Sequence, residues 1–176
     1  MDESGLSEQP FVTRTWSPRG QTPLLQYHFN WKKLSAIAGV TWLRFYFKLY
    51  PGSIRKEQVV DFLKHLLRFI QGDLIVIWDG LRSHRSKLVM DFVKSTSGRL
   101  DLEYLPAYAP ELNPVEYLWG YWKCKELPNY CAANLVELSD FAKKALYRMR
   151  RKRVSLVQAF WKQADLFDVT ILSKAQ

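Results

Sequence analysis

The chain has 176 residues, of which 48% are hydrophobic and 15% aromatic, and its formal net charge is +9. This length and apolar content suffice for one domain with a buried core, and the aromatic content excludes a disordered chain. The charge, with an isoelectric point near 9.6, favours a polyanionic partner, either a nucleic acid or an acidic membrane surface. No apolar run is long enough to span a membrane, and the acidic N-terminus has no signal-peptide core. Cys124 and Cys131 lack the partners of a zinc site and indicate reduced thiols in a cytoplasmic protein.

The first half of the chain predicts two antiparallel strands, a helix and a buried strand. Its first thirty residues are polar, and residues 16–23 (WSPRGQTP) are typical of a strand end followed by a loop. Polar and apolar residues alternate over 43–50 (LRFYFKLY), which predicts a half-buried strand, and 33–41 is its antiparallel neighbour. Residues 54–70 carry the apolar stripe of an amphipathic helix. The apolar run 74–78 (LIVIW) predicts a strand that is covered on both faces.

The order of elements in the second half predicts a parallel crossover followed by helices. A helix over 85–95 and an alternating strand over 100–105 come after the buried strand, and this order is typical of parallel strands joined by a helix. After a proline-rich bend, the apolar pattern predicts helices over about 115–125, 134–150 and 154–166. The predicted fold class is therefore α/β: a mixed sheet, with antiparallel strands first and parallel strands next, flanked by helices.

Two acidic residues occupy positions that either local structure or chemistry can explain. Asp79 follows the buried strand, where open α/β sheets bind ligands, but Asp79-Gly80 is also a strong turn pair that needs no further explanation. Glu116 is the third residue of a helix that Asn113 caps and Pro114 begins, and a capping box alone accounts for that spacing. Taken singly, neither residue identifies a catalytic site.

Four short segments, spread over most of the chain, form a more specific joint pattern. They are DESG at 2–5, WSPRG at 16–20, the DG pair at 79–80 with His84 shortly after it, and LPAYAPELNPVEYLW at 105–119. Together they resemble the catalytic core of mariner-type DDE transposases, especially those of bacterial insertion sequences. The resemblance implies a ribonuclease-H-like fold for residues 1–176, in which 134–176 are the C-terminal helices of the same domain.

The resemblance also implies a site and a chemistry. It assigns Asp2, Asp79 and Glu116 as the catalytic carboxylates and ligands of two Mg²⁺ ions, for which Mn²⁺ can substitute; Asp2 bridges both ions and the other two acids each complete one. The implied activity is metal-dependent DNA phosphodiester hydrolysis and strand transfer during transposition. The implied partner is double-stranded DNA, as transposon ends and target, with a homodimer on paired ends, no membrane and no small-molecule cofactor. A bacterial cytoplasmic, nucleoid-associated location is expected.

Basic side chains supply the candidate DNA contacts. Three of them follow Asp79 closely and can reach the DNA backbone near the cut: Arg82, Arg85 and Lys87. The run RMRRKR is either a solvated face or a sequence-independent phosphate contact, and its arginines are Arg148, Arg150, Arg151 and Arg153. His84 matches a family position, and it either contacts DNA phosphate, positions a metal-bound water or caps the helix over 85–95.

The sequence departs from the family in two respects. Family members carry helix-turn-helix modules upstream, and their first Asp follows an apolar strand, of which only Met1 could remain here. The first strand is thus expected to be largely missing, which would leave its neighbours with unpaired edges. We accordingly expect a fragment, and two alternatives to an active transposase stay open: a non-catalytic remnant that binds DNA through its charge, or another ribonuclease-H-like nuclease.

Overall fold

The computed structural model describes residues 1–27, 32–106, 109–151 and 154–164. Strands and α-helices within these ranges follow one another along the chain as β1 (Asp2–Ser7), β2 (Lys33–Val40), β3 (Phe45–Pro51), α1 (Lys56–Phe69), β4 (Leu74–Trp78), α2 (Lys87–Ser95), β5 (Leu100–Tyr104), α3 (Pro114–Tyr121), α4 (Leu135–Arg151) and α5 (Val154–Ala164). A 3-10 turn, Pro110–Leu112, precedes α3, and a π-helical turn, Trp122–Glu126, follows it. None of the helices in the described ranges is both long and apolar enough to cross a bilayer.

The first three strands form an antiparallel sheet in the order β1-β2-β3. Asp2 lies opposite Ala38 and Ser7 opposite Lys33, while β2 pairs with β3 from Leu34 to Val40. The predicted pairing of 33–41 with 43–50 is therefore confirmed. Leu43 was expected to point inward, but it precedes β3 and is 42% exposed.

The strand β1 corrects the sequence analysis. Residues Asp2–Ser7 pair with β2 along their whole length, although DESGLS has almost no apolar alternation and predicted no strand. Backbone hydrogen bonds to the buried strand β2 hold these residues in an extended conformation, which their side-chain pattern does not predict. The predicted strand end at 16–23 is not observed, since these residues lie outside helices and strands and contain a turn at Arg19-Gly20.

The parallel crossover is confirmed, because β4 and β5 pair in parallel with Leu74 opposite Leu100 and α2 connects them. The prediction that β4 is covered on both faces is wrong: Ile75 is 63% exposed. Within the described chain β4 pairs only with β5, and a cavity of about 270 Å³ separates its other edge from the end of β2 at Gly39. The Met1 amino group bridges this gap at one end by donating to the Ile77 carbonyl at 2.7 Å.

Helices cover the two faces of the antiparallel sheet in separate layers. Ala36 and Ala38 of β2 pack into a core formed with α3, α4 and α5. Ile37, which points the other way, packs with α1, β4 and α2. The sheet therefore lies in the middle layer, and the ends of β1 and β4 come close to the start of α3. The helices predicted over 115–125 and 154–166 are found as α3 with its π-helical turn and as α5, whose residues beyond 164 lie outside the described ranges.

Candidate active site

Three elements that are distant in sequence deliver carboxylates to one cavity of about 580 Å³. Asp2 begins β1, Asp79 directly follows β4, and Glu116 lies in the first turn of α3. All three line this cavity, which we call the acidic cavity, and Arg85 lines it as well. The structure therefore brings together the three acids that the sequence analysis singled out, although Asp2 and Glu116 are 114 positions apart in the chain.

The proline-rich bend fixes where Glu116 stands. Asn113 caps α3, because its side-chain oxygen accepts a hydrogen bond from the Val115 N–H at 3.2 Å. The Asn113 N–H donates to the Pro110 carbonyl at 3.0 Å and is thus already used within the bend. The reciprocal half of a capping box is therefore not formed, and the exposed Glu116 side chain borders the cavity. Capping explains Asn113 but not Glu116.

Asp79 combines the two roles that its sequence left open. Its Oδ1 accepts a hydrogen bond from the Leu81 N–H at 3.2 Å, the contact of a turn built on an Asp side chain. The same residue lines the acidic cavity. A Cβ at Gly80 would lie 2.9 Å from Nη2 of Arg85, so the flexible end of the arginine would have to shift. The turn thus presents the carboxylate at the strand end and seats Arg85 beside it.

Asp2 is a buried acid whose charge is poorly solvated. The pKa of Asp2 is raised to about 6, chiefly by burial and also by the negative charges of Glu116 and Asp79, against the opposing effects of a backbone hydrogen bond at Glu3 and of the Met1 amino group. Trp119 donates its indole N–H to Asp2 Oδ2 at 3.2 Å and forms part of the buried wall. A cation in the cavity would therefore stabilise the ionised form of Asp2.

The donor set of the acidic cavity fits a hard divalent cation. Carboxylate oxygens with room for water are the ligands that Mg²⁺ prefers, and three carboxylates contribute enough charge to bind it. In the described part of the chain, no group of three or more acid, His or Cys side chains is arranged so that it could hold a metal ion as it stands. The three carboxylates line one cavity, and metal binding requires their oxygens to come closer to one another.

His84 is buried beside this cavity and contacts two acids. Its ring stacks on Trp78 with centroids 4.2 Å apart and planes at 3°. Its Nδ1 lies 2.7 Å from Asp79 Oδ1, and its Nε2 lies 3.1 Å from Glu3 Oε1. Burial opposes the charged ring, but the hydrogen bonds to Glu3 and Asp79 and the charges of both outweigh it, so the pKa of His84 is raised. The N-cap of α2 is Ser86, so His84 does not cap that helix.

Residues 1–137, which include all three cavity acids, match the sequence profile of the DDE superfamily endonucleases. The chain belongs to the DDE superfamily. This assignment covers β1 to the start of α4, and hence every element that contributes to the acidic cavity. No curated protein sequence matches the chain significantly.

Solved transposase structures share the fold of this DDE superfamily member. The Mos1 transposase paired-end complex with left transposon end superposes with a TM-score of 0.61 at 17% identity, over 93% of this chain and 52% of that one. The Mos1 mariner paired end complex with Mn superposes with a TM-score of 0.59 at 17% identity, over 95% of this chain and 55% of that one. The catalytic domain of Mos1 mariner transposase superposes with a TM-score of 0.52 at 16% identity, over 81% of this chain and 80% of that one. The chain thus spans about half the length of the chains in the two complexes, and the expected ribonuclease-H-like fold is confirmed.

The three basic residues that follow Asp79 have different surroundings in this DDE domain. Arg85 lines the cavity, and its guanidinium lies 4.5 Å from the centre of the Tyr104 ring. Arg82 lines a second groove of about 660 Å³ together with Arg55 and Lys56. Lys87 is the exposed first residue of α2. We call the second groove the basic groove.

Three arginines of the 148–153 run, Arg148, Arg150 and Arg151, lie in the last turn of α4 and are not among the residues that line the acidic cavity. Arg148 pairs with Glu126 at 3.0 Å. Arg150 lies over the rings of Phe47 and Tyr147, at 5.8 and 4.9 Å from their centres. Arg151 is exposed, and Arg153 lies outside the described residues. DNA contact by this run stays a prediction.

Two residues near the cavity escaped the sequence analysis. Glu3, in the DESG segment, pairs with His84. Lys123 lies near the acids: burial lowers the pKa of its amine, while the charges of Glu116 and Asp2 act in the opposite direction. The spacing of seven residues between Glu116 and Lys123 is two helical turns, and this spacing could have indicated that both face one side.

Proposed function

We propose that this chain is the catalytic domain of a transposase that hydrolyses DNA phosphodiesters and transfers DNA strands with the help of divalent cations. The observation that carries the proposal is the convergence of Asp2, Asp79 and Glu116 on one cavity within a DDE superfamily domain. The burial of Asp2 supports it, since an acid with a raised pKa in a cavity beside two other acids is typical of a functional site.

The chain's own residues would bind and orient the reacting groups. Asp2 would be shared by two ions, and Asp79 and Glu116 would each complete the ligand set of one. When bound, two Mg²⁺ or Mn²⁺ ions would stabilise the attacking and leaving oxygens of a phosphoryl displacement. Trp119 holds Asp2 through Oδ2 and excludes water from its buried side. β1, the end of β4 and α3 place the three acids on the wall of one cavity.

Double-stranded DNA is the proposed substrate. Arg85 at the acidic cavity can contact a phosphate beside the cut, and the basic groove with Arg82, Arg55 and Lys56 can bind the backbone further along. The Mos1 complexes contain transposon-end DNA, and we extend that partner, with a dimer on paired ends, to this chain. A cytoplasmic, nucleoid-associated location in a bacterium follows from the same proposal.

Nicking of supercoiled DNA tests the function. We expect Mg²⁺- or Mn²⁺-dependent nicking that EDTA abolishes, and a loss of at least about 100-fold in Glu116→Gln, because the amide cannot replace the negative oxygen ligand. Glu111→Gln is the matched control: Glu111 is an exposed acid of the same bend and does not line the cavity. Nicking that survives Glu116→Gln, or that falls equally in Glu111→Gln, contradicts the assignment.

A further inference from the structure

The two oxygens of the Asp79 carboxylate have different surroundings. Oδ1 accepts a hydrogen bond from the Leu81 N–H at 3.2 Å and lies 2.7 Å from His84 Nδ1, so both contacts fall on one oxygen. The hydrogen-bond partner of Nδ1 is the main-chain carbonyl of the same residue, Asp79, at 3.2 Å. Among the described residues no hydrogen bond to Oδ2 is found, and Asp79 lines the acidic cavity. A carboxylate that is held by one oxygen in this way keeps its other oxygen for a ligand in the cavity.

His84 is itself fixed on three sides. Its ring is fully buried and lies flat on Trp78, the last residue of β4. Its second nitrogen, Nε2, faces Glu3 Oε1 of β1, whose side chain is only 18% exposed. The ring therefore spans the gap between the two sheets and links the strand that carries Asp2 to the turn that carries Asp79. A ring this deeply buried, with both nitrogens used inside the protein, is not placed to contact a DNA phosphate.

We propose that Glu3 and His84 are positioning residues, which act in series to hold the Asp79 carboxylate with one oxygen directed toward the metal ions. This inference rests on the proposed function, because it assigns a role to the pair through the metal-binding residue Asp79. It predicts that loss of the His84 donor weakens metal binding even when the ring and the fold are retained.

Two substitutions of His84 separate positioning from packing. His84→Phe keeps a ring that can stack on Trp78 but has no donor for Asp79. His84→Asn loses the stack, but its amide nitrogen can take the place of Nδ1 and donate to Asp79, at the carbonyl beside Oδ1. A positioning role predicts that Asn is tolerated and Phe is not, whereas a packing role predicts the reverse.

Mn²⁺ alone is the probe, and its binding to the whole chain is followed by the loss of the free-ion electron paramagnetic resonance signal. We expect the Mn²⁺ dissociation constant to rise about 10-fold in His84→Phe and in Glu3→Ala, and to stay close to the wild-type value in His84→Asn. His65→Phe is the matched control, since His65 packs between Phe62 and Phe69 on α1, away from the cavity. Thermal unfolding of each variant shows that it is folded before binding is compared.

Each outcome decides a different question. Wild-type affinity in His84→Phe, or an affinity in His84→Asn as weak as that in His84→Phe, overturns the positioning role while the metal site stands. Failure of the wild-type chain to bind Mn²⁺ overturns the proposed function itself, and the positioning role with it. The expected order of Mn²⁺ affinities, with His84→Asn binding more tightly than His84→Phe and His65→Phe binding like the wild type, supports the proposed function and the positioning role.

Discussion

Replacement of Asp2 by Asn will stabilise the metal-free chain at pH 8. Burial raises the pKa of Asp2 from 3.8 to about 6, so the folded chain disfavours the ionised carboxylate. At about 1.36 kcal/mol per pKa unit, a shift of about two units corresponds to roughly 3 kcal/mol of unfolding free energy. The stabilising contribution of the raised pKa is complete below pH 3.8 and is lost as the pH rises through 6. Asn is neutral at every pH, and its side-chain oxygen can still accept from Trp119.

Urea unfolding in EDTA measures this effect. The Asp2→Asn variant should exceed the wild type by about 3 kcal/mol at pH 8 and by almost nothing near pH 4. Burial lowers the pKa of the Met1 amine from 8.0 to about 6, so its stabilising contribution is present above pH 8 and is lost as the pH falls through 6. The charge of Asp2 raises the pKa of this amine against the effect of burial, so Asp2→Asn lowers that pKa further, and the comparison is made at pH 8, where the amine is mostly neutral in the folded chain.

Metal ions should reverse the order of the two unfolding free energies, because a ligand stabilises the folded protein that binds it. Added Mg²⁺ is expected to raise the unfolding free energy of the wild type and to leave that of Asp2→Asn nearly unchanged. Asp101→Asn, which alters an exposed acid on β5, serves as the control and should change neither value. An Asp2→Asn chain that is no more stable than the wild type at pH 8 refutes the argument that Asp2 is ionised at a cost in the folded chain.

Three further changes test separate contacts. Trp119→Phe removes the N–H that Asp2 Oδ2 accepts and should lower the unfolding free energy by about 2 kcal/mol in urea; an unchanged midpoint would show that this hydrogen bond contributes nothing. Arg55→Glu in the basic groove should reduce the slope of log affinity for DNA against log salt by about 1, measured by fluorescence anisotropy, and an unaltered slope removes this groove from the DNA path. Gly80→Ala brings a Cβ to 2.9 Å from the Arg85 guanidinium and should slow nicking roughly tenfold or more by displacing it; a normal nicking rate would mean that the position of Arg85 is unimportant.

The strands that could be predicted from the sequence are those with one buried face. Phe45 and Phe47 are buried on one side of β3, so the alternation over 43–50 was visible. The segment DESGLS has no such pattern, and its six residues are ordered by backbone pairing with β2, which no local signal records. The exposure of Ile75 was also missed, because the apolar sequence of β4 does not specify whether another element covers each of its faces.

The acids of the candidate site were predictable only as a set. Asp79 and Glu116 each have an adequate local explanation, and the joint spacing of four motifs identified them as partners. The pairing of His84 with Glu3 was out of reach, because it joins residues that are 81 positions apart and depends on how closely the ends of β1 and β4 approach. Contacts of this kind are set by the packing of the two sheets and not by any segment alone.

The outer edge of β4 has a consequence for handling the protein. In the described ranges, no strand pairs with the edge of β4 that faces the 270 Å³ cavity, and the hydrogen bond from the Met1 amino group to the Ile77 carbonyl is made at this edge. Ile75, on the same strand, is largely exposed to solvent. Bare apolar edges recruit strands from other molecules. For a sample of these 176 residues we expect self-association at high concentration through main-chain pairing at this edge, and Ile75→Lys, which adds a charge on β4, should keep the molecules apart at the same concentration.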